Sequence, residues 1–109
     1  MASFDDVRRI ALALPEVEEV VTWGSDINWR VANKMFAITG DESSTGVTIK
    51  ATLDAQEDLL ALDPETFTKA AYVGRFGWIN VRLDRVDEPM LAELLEKAWR
   101  QTAPKRLLR

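Results

Sequence analysis

Residues 78–83 read Trp78-Ile79-Asn80-Val81-Arg82-Leu83. Successive side chains of a β-strand point to opposite faces of its sheet. A strand here therefore places the three aliphatic residues on one face and Trp78, Asn80 and Arg82 on the other. The aliphatic face predicts a wall of the core. The other face predicts an exposed indole beside a cation, and such an exposed aromatic residue is the kind of departure that marks a binding surface.

Length and composition indicate one domain without catalytic histidine or cysteine. A chain of 109 residues buries roughly 65% of the surface that it exposes when unfolded, so we expect a single domain spanning 1–109. The sequence has no cysteine, which excludes disulfides and thiolate chemistry, and no histidine, the commonest general base and metal ligand. We therefore expect a protein that is not an enzyme and that takes no metal and no cofactor. The less favoured alternative is an enzyme that uses carboxylates or lysine in a pocket.

The hydrophobic pattern gives no reason to expect contact with a membrane. No apolar run approaches the roughly 20 residues of a membrane-spanning helix, and residues 1–20 lack the basic start and apolar middle of a signal peptide. The absence of cysteine also fits a reducing compartment. The expectation is a cytoplasmic protein.

Charge is distributed unevenly along the chain. Residues 1–65 hold five basic and thirteen acidic side chains, whereas residues 69–109 hold nine basic and five acidic ones. Folding can bring acidic residues of the first part next to basic residues of the last part, or the C-terminal third can form a basic patch. The formal net charge of −4 weakens any expectation of non-specific DNA binding, which depends on many contacts from Lys and Arg to phosphate.

The first half of the chain predicts one helix followed by four strands. Ser3 is a good N-cap, with Asp6 placed to complete a capping box, and Pro15 ends the helix. Strands are expected near Val20–Trp23, over Ile27–Val31 and Met35–Thr39 around a turn at Asn33, and over Val47–Ala51 after a polar loop from Gly40 to Gly46.

The second half predicts two further helices that flank a strand. Asp54 is expected to cap a helix over Ala55–Leu62, with Leu59, Leu60 and Leu62 as its apolar residues. An irregular loop from Phe67 to Gly77 then leads into the strand at Trp78. Asp87 caps the last helix, with Pro89 in its first turn, and Pro104 ends it before a basic tail, 104–109.

The expected fold class is α+β, in two layers. The order is α-β-β-β-β-α-β-α, with about five antiparallel strands joined by short connections. Three helices are too few to cover both faces of the sheet, so they should lie mainly on one face and leave the other face open.

Several segments, in order along nearly the whole chain, resemble the MmcQ/YjbR-like family. The hairpin Asn33-Lys34-Met35-Phe36-Ala37 resembles the family's "GKxFA" hairpin, with Asn33 where the family usually has Gly. Further similar segments are Ile49-Lys50, Gly74-Arg75-Phe76-Gly77-Trp78 running into Val81-Arg82-Leu83, and Ala98-Trp99-Arg100-Gln101-Thr102-Ala103-Pro104-Lys105-Arg106.

The resemblance implies a fold of the CyaY-like or secretion-chaperone-like type. It also implies a DNA-binding function through a "double-wing" arrangement of hairpins, here the hairpin at Asn33-Lys34 and the loop 40–46. That function rests on analogy of fold. The family carries no agreed catalytic motif, so the resemblance implies no active-site residues.

The candidate binding surface is the open face of the sheet. Its residues are predicted by alternation along the strands, with two more at the rim: Arg30, Lys50, Trp78, Asn80 and Arg82 on the face, and Lys34 and Arg75 at the rim. An aromatic ring among cations can stack bases while the cations meet phosphate. The same surface can receive a protein partner or a second copy of the chain. Alternatively, the 67–77 loop or the C-terminal tail covers Trp78 and the surface is structural.

Other groupings are weaker candidates. The acidic groups around Glu16–Glu19 and Asp41-Glu42 lack the ligand spacing of a Ca²⁺ or Mg²⁺ site. Ser25, Ser43 and Ser44 have no histidine to activate them. We read Phe4, Trp29, Phe36 and Trp99 as core packing.

Overall fold

In the computed structural model, which describes residues 1–22 and 24–108, the chain forms three α-helices and six β-strands. They are, in order, α1 (Phe4–Ala13), β1 (Val17–Thr22), β2 (Asp26–Val31), β3 (Lys34–Thr39), β4 (Gly46–Ile49), α2 (Leu53–Leu62), β5 (Phe67–Lys69), β6 (Ile79–Arg82) and α3 (Glu88–Thr102). Short 3₁₀ turns lie at Val73–Phe76 and Lys105–Leu107. The predicted α+β class is confirmed.

The six strands form one antiparallel sheet in the order β1-β2-β3-β4-β6-β5. The sequence predicted about five strands, and β5 is the additional one. Its three residues pair with β6, so that Phe67 lies opposite Val81 in the core. A strand this short shows no period of two in the sequence. The sequence therefore predicted a loop from Phe67 onward, whereas the structure has a strand there.

The β2–β3 hairpin closes as its sequence predicts. Its two turn residues, Ala32 and Asn33, have φ angles of 51° and 64°. Positive φ at both central positions is the pattern of a type I′ turn, whose twist matches that of the flanking strands. Asn tolerates this conformation better than other non-glycine residues, which explains how Asn33 replaces the usual glycine.

The strand register defines the two faces of the sheet. One row of directly paired residues crosses all six strands: Val20, Asn28, Ile38, Thr48, Asn80 and Thr68. Paired residues project to the same side, so this row belongs to one face. We call it the open face. The neighbouring residues Trp29, Ala37, Ile49 and Val81 project to the other side, which the helices cover.

The helices α1 and α3 pack on the covered face, while α2 lies beside the short edge strand β5. The core between them contains Val7, Trp29, Phe36, Leu91 and Leu95, all almost fully buried. The predicted core positions of the four aromatic residues are confirmed: Trp29, Phe36, Phe4 and Trp99 are buried. The rings of Phe4 and Trp29 lie 6.1 Å apart between their centroids.

The helix ends follow capping rules, with one correction. The capping box of Ser3 and Asp6 forms on α1, and Asp87 accepts from the backbone N–H of Met90 on α3. On α2 the N-cap is Thr52, not Asp54, and the helix begins at Leu53. The hydroxyl of Thr52 accepts from the backbone N–H of Ala55, which is what any good N-cap residue does. Both positions carry capping residues, so the sequence alone did not distinguish them.

The C-terminal segment returns to the start of the sheet. The indole N–H of Trp99 donates to the carbonyl of Pro15 at 3.0 Å. The Arg106 guanidinium donates to both carboxylate oxygens of Glu16, at 2.7 and 2.9 Å. The basic tail is therefore fixed by an acidic partner. Trp23, at the end of the first predicted strand, and Arg109 lie outside the described residues.

Among the described residues, no helix has both the length and the apolar character needed to cross a membrane.

Candidate functional site

Trp78 is buried, so the prediction of an exposed indole on the open face is wrong. Its exposed fraction is 8%. The strand β6 begins one residue later, at Ile79, so Trp78 belongs to the connection from β5 rather than to the open strand. Its backbone carbonyl accepts from the backbone N–H of Ala70 and from the side-chain amide of Gln56. The alternative in which the residue is covered within the monomer holds.

The two arginines predicted for the open face lie at opposite ends of the sheet. Arg30 follows Asn28 on β2 and Arg82 follows Asn80 on β6, but these strands run in opposite directions. Arg30 and Arg82 are separated by three spacings between neighbouring strands and by four residues along the strand direction, which corresponds to roughly 20 Å. Arg82 also holds the carboxylate of Asp84 at 2.7 Å. The structure does not bring these cations together.

The two predicted lysines do not extend the open face either. Lys34 lies opposite Val31 in the hairpin, which puts it on the side that the helices cover. Lys50 lies one residue beyond the end of β4 and lines a groove between α2 and α3. The expectation for Lys50 extended the alternation past the end of its strand, whereas Lys34 was expected only at the rim and is the first residue of β3. Lys34 is nevertheless exposed at the hairpin tip.

The polar side chains of the open face bond mainly to one another. The Asn28 amide donates to the Thr22 hydroxyl at 2.9 Å and its oxygen accepts from the Arg30 guanidinium at 2.6 Å. Across the next strands, the Thr48 hydroxyl donates to the oxygen of Asn80 at 2.8 Å. These bonds satisfy the face internally, which is a structural role. Asn80 therefore has an explanation without a ligand.

In the part of the C-terminal third that the structure describes, most cations are paired, so these residues do not form a basic patch of their own. Arg85 contacts Glu65 at 3.1 Å, and Arg106 contacts Glu16 at 2.7 Å. Lys97 and Arg100 each pair with a glutamate one turn earlier on α3. Folding thus mixes the segregated charges of the sequence.

Among the described residues, the most exposed aromatic side chains lie in the connection between β5 and β6, residues 70–78, which we call the β5–β6 turn. Tyr72 is 93% exposed and Phe76 is 62% exposed. The Arg75 guanidinium lies over the Phe76 ring, 4.8 Å from its centroid. Such a contact holds a cation against a ring that still presents surface to solvent. Arg75 is thus the predicted rim residue that sits beside exposed aromatic surface.

Tyr72 also has an unusual backbone conformation, with φ of 60° and ψ of −65°. This combination is unfavourable for a residue with a Cβ and persists only where the surroundings impose it. A strained tyrosine with almost no burial gains nothing from packing. The ring of Tyr72 is therefore free to contact another molecule.

The β5–β6 turn is held rigidly against α2. The buried Gln56 amide donates to the carbonyls of both Gly74 and Trp78 at 2.8 Å. At Gly77, φ is 107°, and a Cβ there would lie 2.4 Å from the carbonyl oxygen of Ala51. Only glycine allows this close approach of two backbones. The exposed rings are therefore presented on a fixed platform.

The turn lies in a locally basic part of the chain. Residues 66–83 hold three basic and no acidic side chains. Two of the cations, Lys69 and Arg75, lie at the turn, and Lys69 packs its stem against Gly74. The third, Arg82, lies at the far end of β6. Two cations and two exposed aromatic rings thus share one end of the sheet.

The ionisable groups elsewhere have the properties of structural ion pairs. Hydrogen bonds from Arg8 and then from Trp29 lower the pKa of Glu19, against the opposing effect of its partial burial. The bond from Arg106 lowers the pKa of Glu16 in the same way. Each carboxyl with a resolved shift among the described residues is shifted downward. General acids need the opposite shift.

Tyr72 and Phe76 were missed as candidates because the sequence placed them in an irregular loop. A usable signal was present. Two glycines bracket Arg75 and Phe76, and large aromatic residues in a short glycine-bounded segment have little chance of reaching the core. The alternation of residues 78–83 predicted Trp78 as the exposed aromatic residue instead.

This fold defines a small α+β domain with one helix-covered face. The family model "YjbR" matches residues 12–101, and the chain belongs to this family. The family predicted from the sequence is confirmed. No curated protein matches the chain.

Among solved structures, the chain is similar to the crystal structure of Deinococcus radiodurans protein DR2400, described as a DUF419 domain. The TM-score is 0.81, with 23% sequence identity over 91% of this chain and 77% of that chain. At this identity the similarity supports the shared fold alone.

Proposed function

We propose that this chain is a small non-catalytic module that binds single-stranded nucleic acid through the β5–β6 turn. The observation that carries the proposal is the pair of exposed rings, Tyr72 and Phe76, set beside two cations. Base stacking on aromatic side chains is worth about 1–3 kcal/mol per base and tolerates any sequence. Arg75 lies over the Phe76 ring and the stem of Lys69 packs beside Gly74, which supports a role for both cations in contacting phosphate.

The family resemblance and the local charge support this function. The MmcQ/YjbR-like family is associated with DNA binding, although through its hairpins rather than through this turn. The net charge of −4 disfavours broad contact with a duplex. A short single strand needs contact only with the acid-free turn, so local charge matters more than the total.

The proposal includes no reaction, no metal and no cofactor, and it places the protein in the cytoplasm. The sequence has neither histidine nor cysteine. The resolved pKa shifts of its carboxyl groups favour the ionised form, which suits ion pairing rather than proton donation.

The proposal is tested by titrating a fluorescent single-stranded oligothymidine with the protein at low salt and following anisotropy. Tyr72→Ala with Phe76→Ala should weaken binding about tenfold or more, since each ring stacks a base. The matched control is Leu62→Ala, because Leu62 is also exposed, at 70%, but lies at the opposite end of α2. With two phosphate contacts, log K should fall with log salt with a slope of about −1.4, and of about −0.7 in Arg75→Gln.

Two results would overturn the proposal. One is the absence of any affinity for single-stranded oligonucleotides at low salt. The other is unchanged binding by the double variant, which would move the site away from the turn.

The second candidate function is self-association, and one observation favours it. β1 lies at the edge of the sheet, and Val21 on it is 60% exposed. Two such edges can pair into a continuous sheet. Glu18 lies on the same strand and opposes close pairing by charge. A dimer mass in light scattering, lost on Val21→Lys, would support this function, whereas a monomer at high micromolar concentration would exclude it.

A further inference from the structure

A groove runs between α2 and α3, and its end at Ala51 and Thr52 adjoins the backbone of the β5–β6 turn at Gly77. Its volume is about 470 Å³, within the range of sites that bind small molecules. Its middle is lined by apolar side chains from both helices, Ala55, Leu59, Met90 and Leu94, and the carboxylates of Asp58 and Glu93 border the same stretch. Neither the sheet nor the proposed nucleic-acid site accounts for this surface.

The groove has a cationic end. The opposite directions of the two helices show which residues meet there. Leu62, at the end of α2, shares a second surface depression with Met90 near the start of α3. The N-cap of α2, Thr52, must therefore lie near the end of α3. Three cations line this end of the groove: Lys50, Lys97 and Arg100.

These cations are available to a ligand. Among the described residues, Lys97 pairs only with Glu93, which also lines the groove, and Arg100 pairs only with Glu96; both are exposed, single-turn ion pairs. Such pairs are worth little and are readily exchanged. Lys50 has no ion-pair partner among the described residues. An anionic head at this end would therefore gain three cations while displacing only weak contacts.

We propose that the groove binds a small amphipathic carboxylate, with its head at Lys50, Lys97 and Arg100 and its apolar body along Ala55 and Leu94. The apolar lining favours a hydrocarbon or aryl body, and the charge at one end selects an anion over a neutral molecule of the same shape. This site is independent of the nucleic-acid proposal, because it uses neither Tyr72 nor Phe76.

The experiment is a ¹H–¹⁵N correlation titration of the full chain with sodium decanoate below its micelle concentration. We expect saturable shifts confined to amides of 50–59 and 90–101. Lys50→Gln and Lys97→Gln should each weaken binding by about threefold to fivefold. The control Arg82→Gln removes a cation that pairs across the sheet with Gly46, at the opposite end of β4 from Lys50, and should bind as the wild type does. Methyl decanoate, which lacks the charge, should bind more weakly than decanoate.

Ala55→Phe tests the apolar body, since the larger side chain fills the groove and should abolish the shifts. Its spectrum without ligand shows whether it folds, and the two lysine variants test the proposal if it does not. The proposal is overturned if methyl decanoate binds as tightly as decanoate. It is also overturned if shifts spread over the whole chain, or if the lysine variants and Arg82→Gln behave alike.

Discussion

Glu19 shows how a single side chain on β1 fixes a helix to the sheet. Its two carboxylate oxygens each accept at 2.9 Å from Arg8 of α1, and one also accepts at 3.0 Å from the indole N–H of Trp29. Arg8 in turn lies over the ring of Phe4, 4.7 Å from its centroid. The carboxylate thus joins a helix, a strand and a core aromatic residue.

At this scale we predict that Glu19→Gln destabilises the protein by about 1–2 kcal/mol at pH 7. The amide keeps the shape but loses the charged bidentate pair with Arg8. Because the folded pKa of Glu19 is lowered, its contribution is full above the ordinary value of 4.5 and is lost as the pH falls through the lowered value. Urea unfolding at several pH values measures both effects.

The matched control for Glu19→Gln is Glu96→Gln, which removes an exposed single-turn pair with Arg100. That variant should unfold nearly as the wild type does. Equal effects of the two substitutions would show that the Glu19 cluster contributes no more than a surface ion pair.

The β5–β6 turn is the element whose conformation depends most on its neighbours. Gln56 of α2 supplies donors to two of its carbonyls, and the backbone at Gly77 lies against the start of α2. The turn and α2 therefore form one packed unit beside the sheet edge. Residues far apart in sequence decide where Tyr72 and Phe76 point.

At the scale of the element, a pair of glycine substitutions separates backbone strain from steric clash. Gly24 and Gly77 both have positive φ, 84° and 107°, but a Cβ at Gly24 meets nothing within 4 Å. Gly24→Ala should therefore cost about 1–2 kcal/mol, from conformation alone. Gly77→Ala should cost about 2–5 kcal/mol, since overpacking adds to the strain.

The measurement is denaturant unfolding of both glycine variants, with hydrogen exchange at the Gly74 and Gly77 amides. Gly77→Ala should also speed exchange in the turn, because its contact with residues 51–53 is forced apart. Equal stability losses in the two variants would mean that the turn moves to make room for the added methyl group and is not held against α2.

For the whole molecule, charge pairing sets the expected response to pH. Six carboxyl groups have a pKa below the ordinary value, mostly because a cation or hydroxyl bonds to them: Asp6, Glu16, Glu19, Asp41, Asp63 and Asp84. The stability they add is present above their ordinary values of 3.8 and 4.5 and is lost as the pH falls through the lowered values.

We therefore predict a thermal midpoint that is nearly constant from about pH 5.5 to 8 and falls below about pH 4.5. The plateau follows from the absence of histidine and cysteine, which leaves no side chain with an ordinary pKa in that interval. Differential scanning calorimetry over the pH series measures it. A step in stability between pH 6 and 8 would contradict the prediction and reveal a strongly shifted group.

Much of the architecture followed from local sequence rules. The period of two in 79–82, the capping residues Ser3 and Asp87 and the turn at Asn33 each fixed an element correctly. Local rules were less reliable at element ends. Leu62 fits an apolar helical spacing but is exposed, because α2 lies at the sheet edge and packs through one face only.

The sequence by itself determined the class of fold and its helix-covered face, because side-chain periodicity depends only on backbone geometry. Only the tertiary structure decided which side chains remain exposed. Alternation assigned Trp78 to the open face, but docking of the β5–β6 turn on α2 buries it and leaves Tyr72 and Phe76 in solvent. Burial depends on contacts between segments distant in sequence, and no local pattern records them.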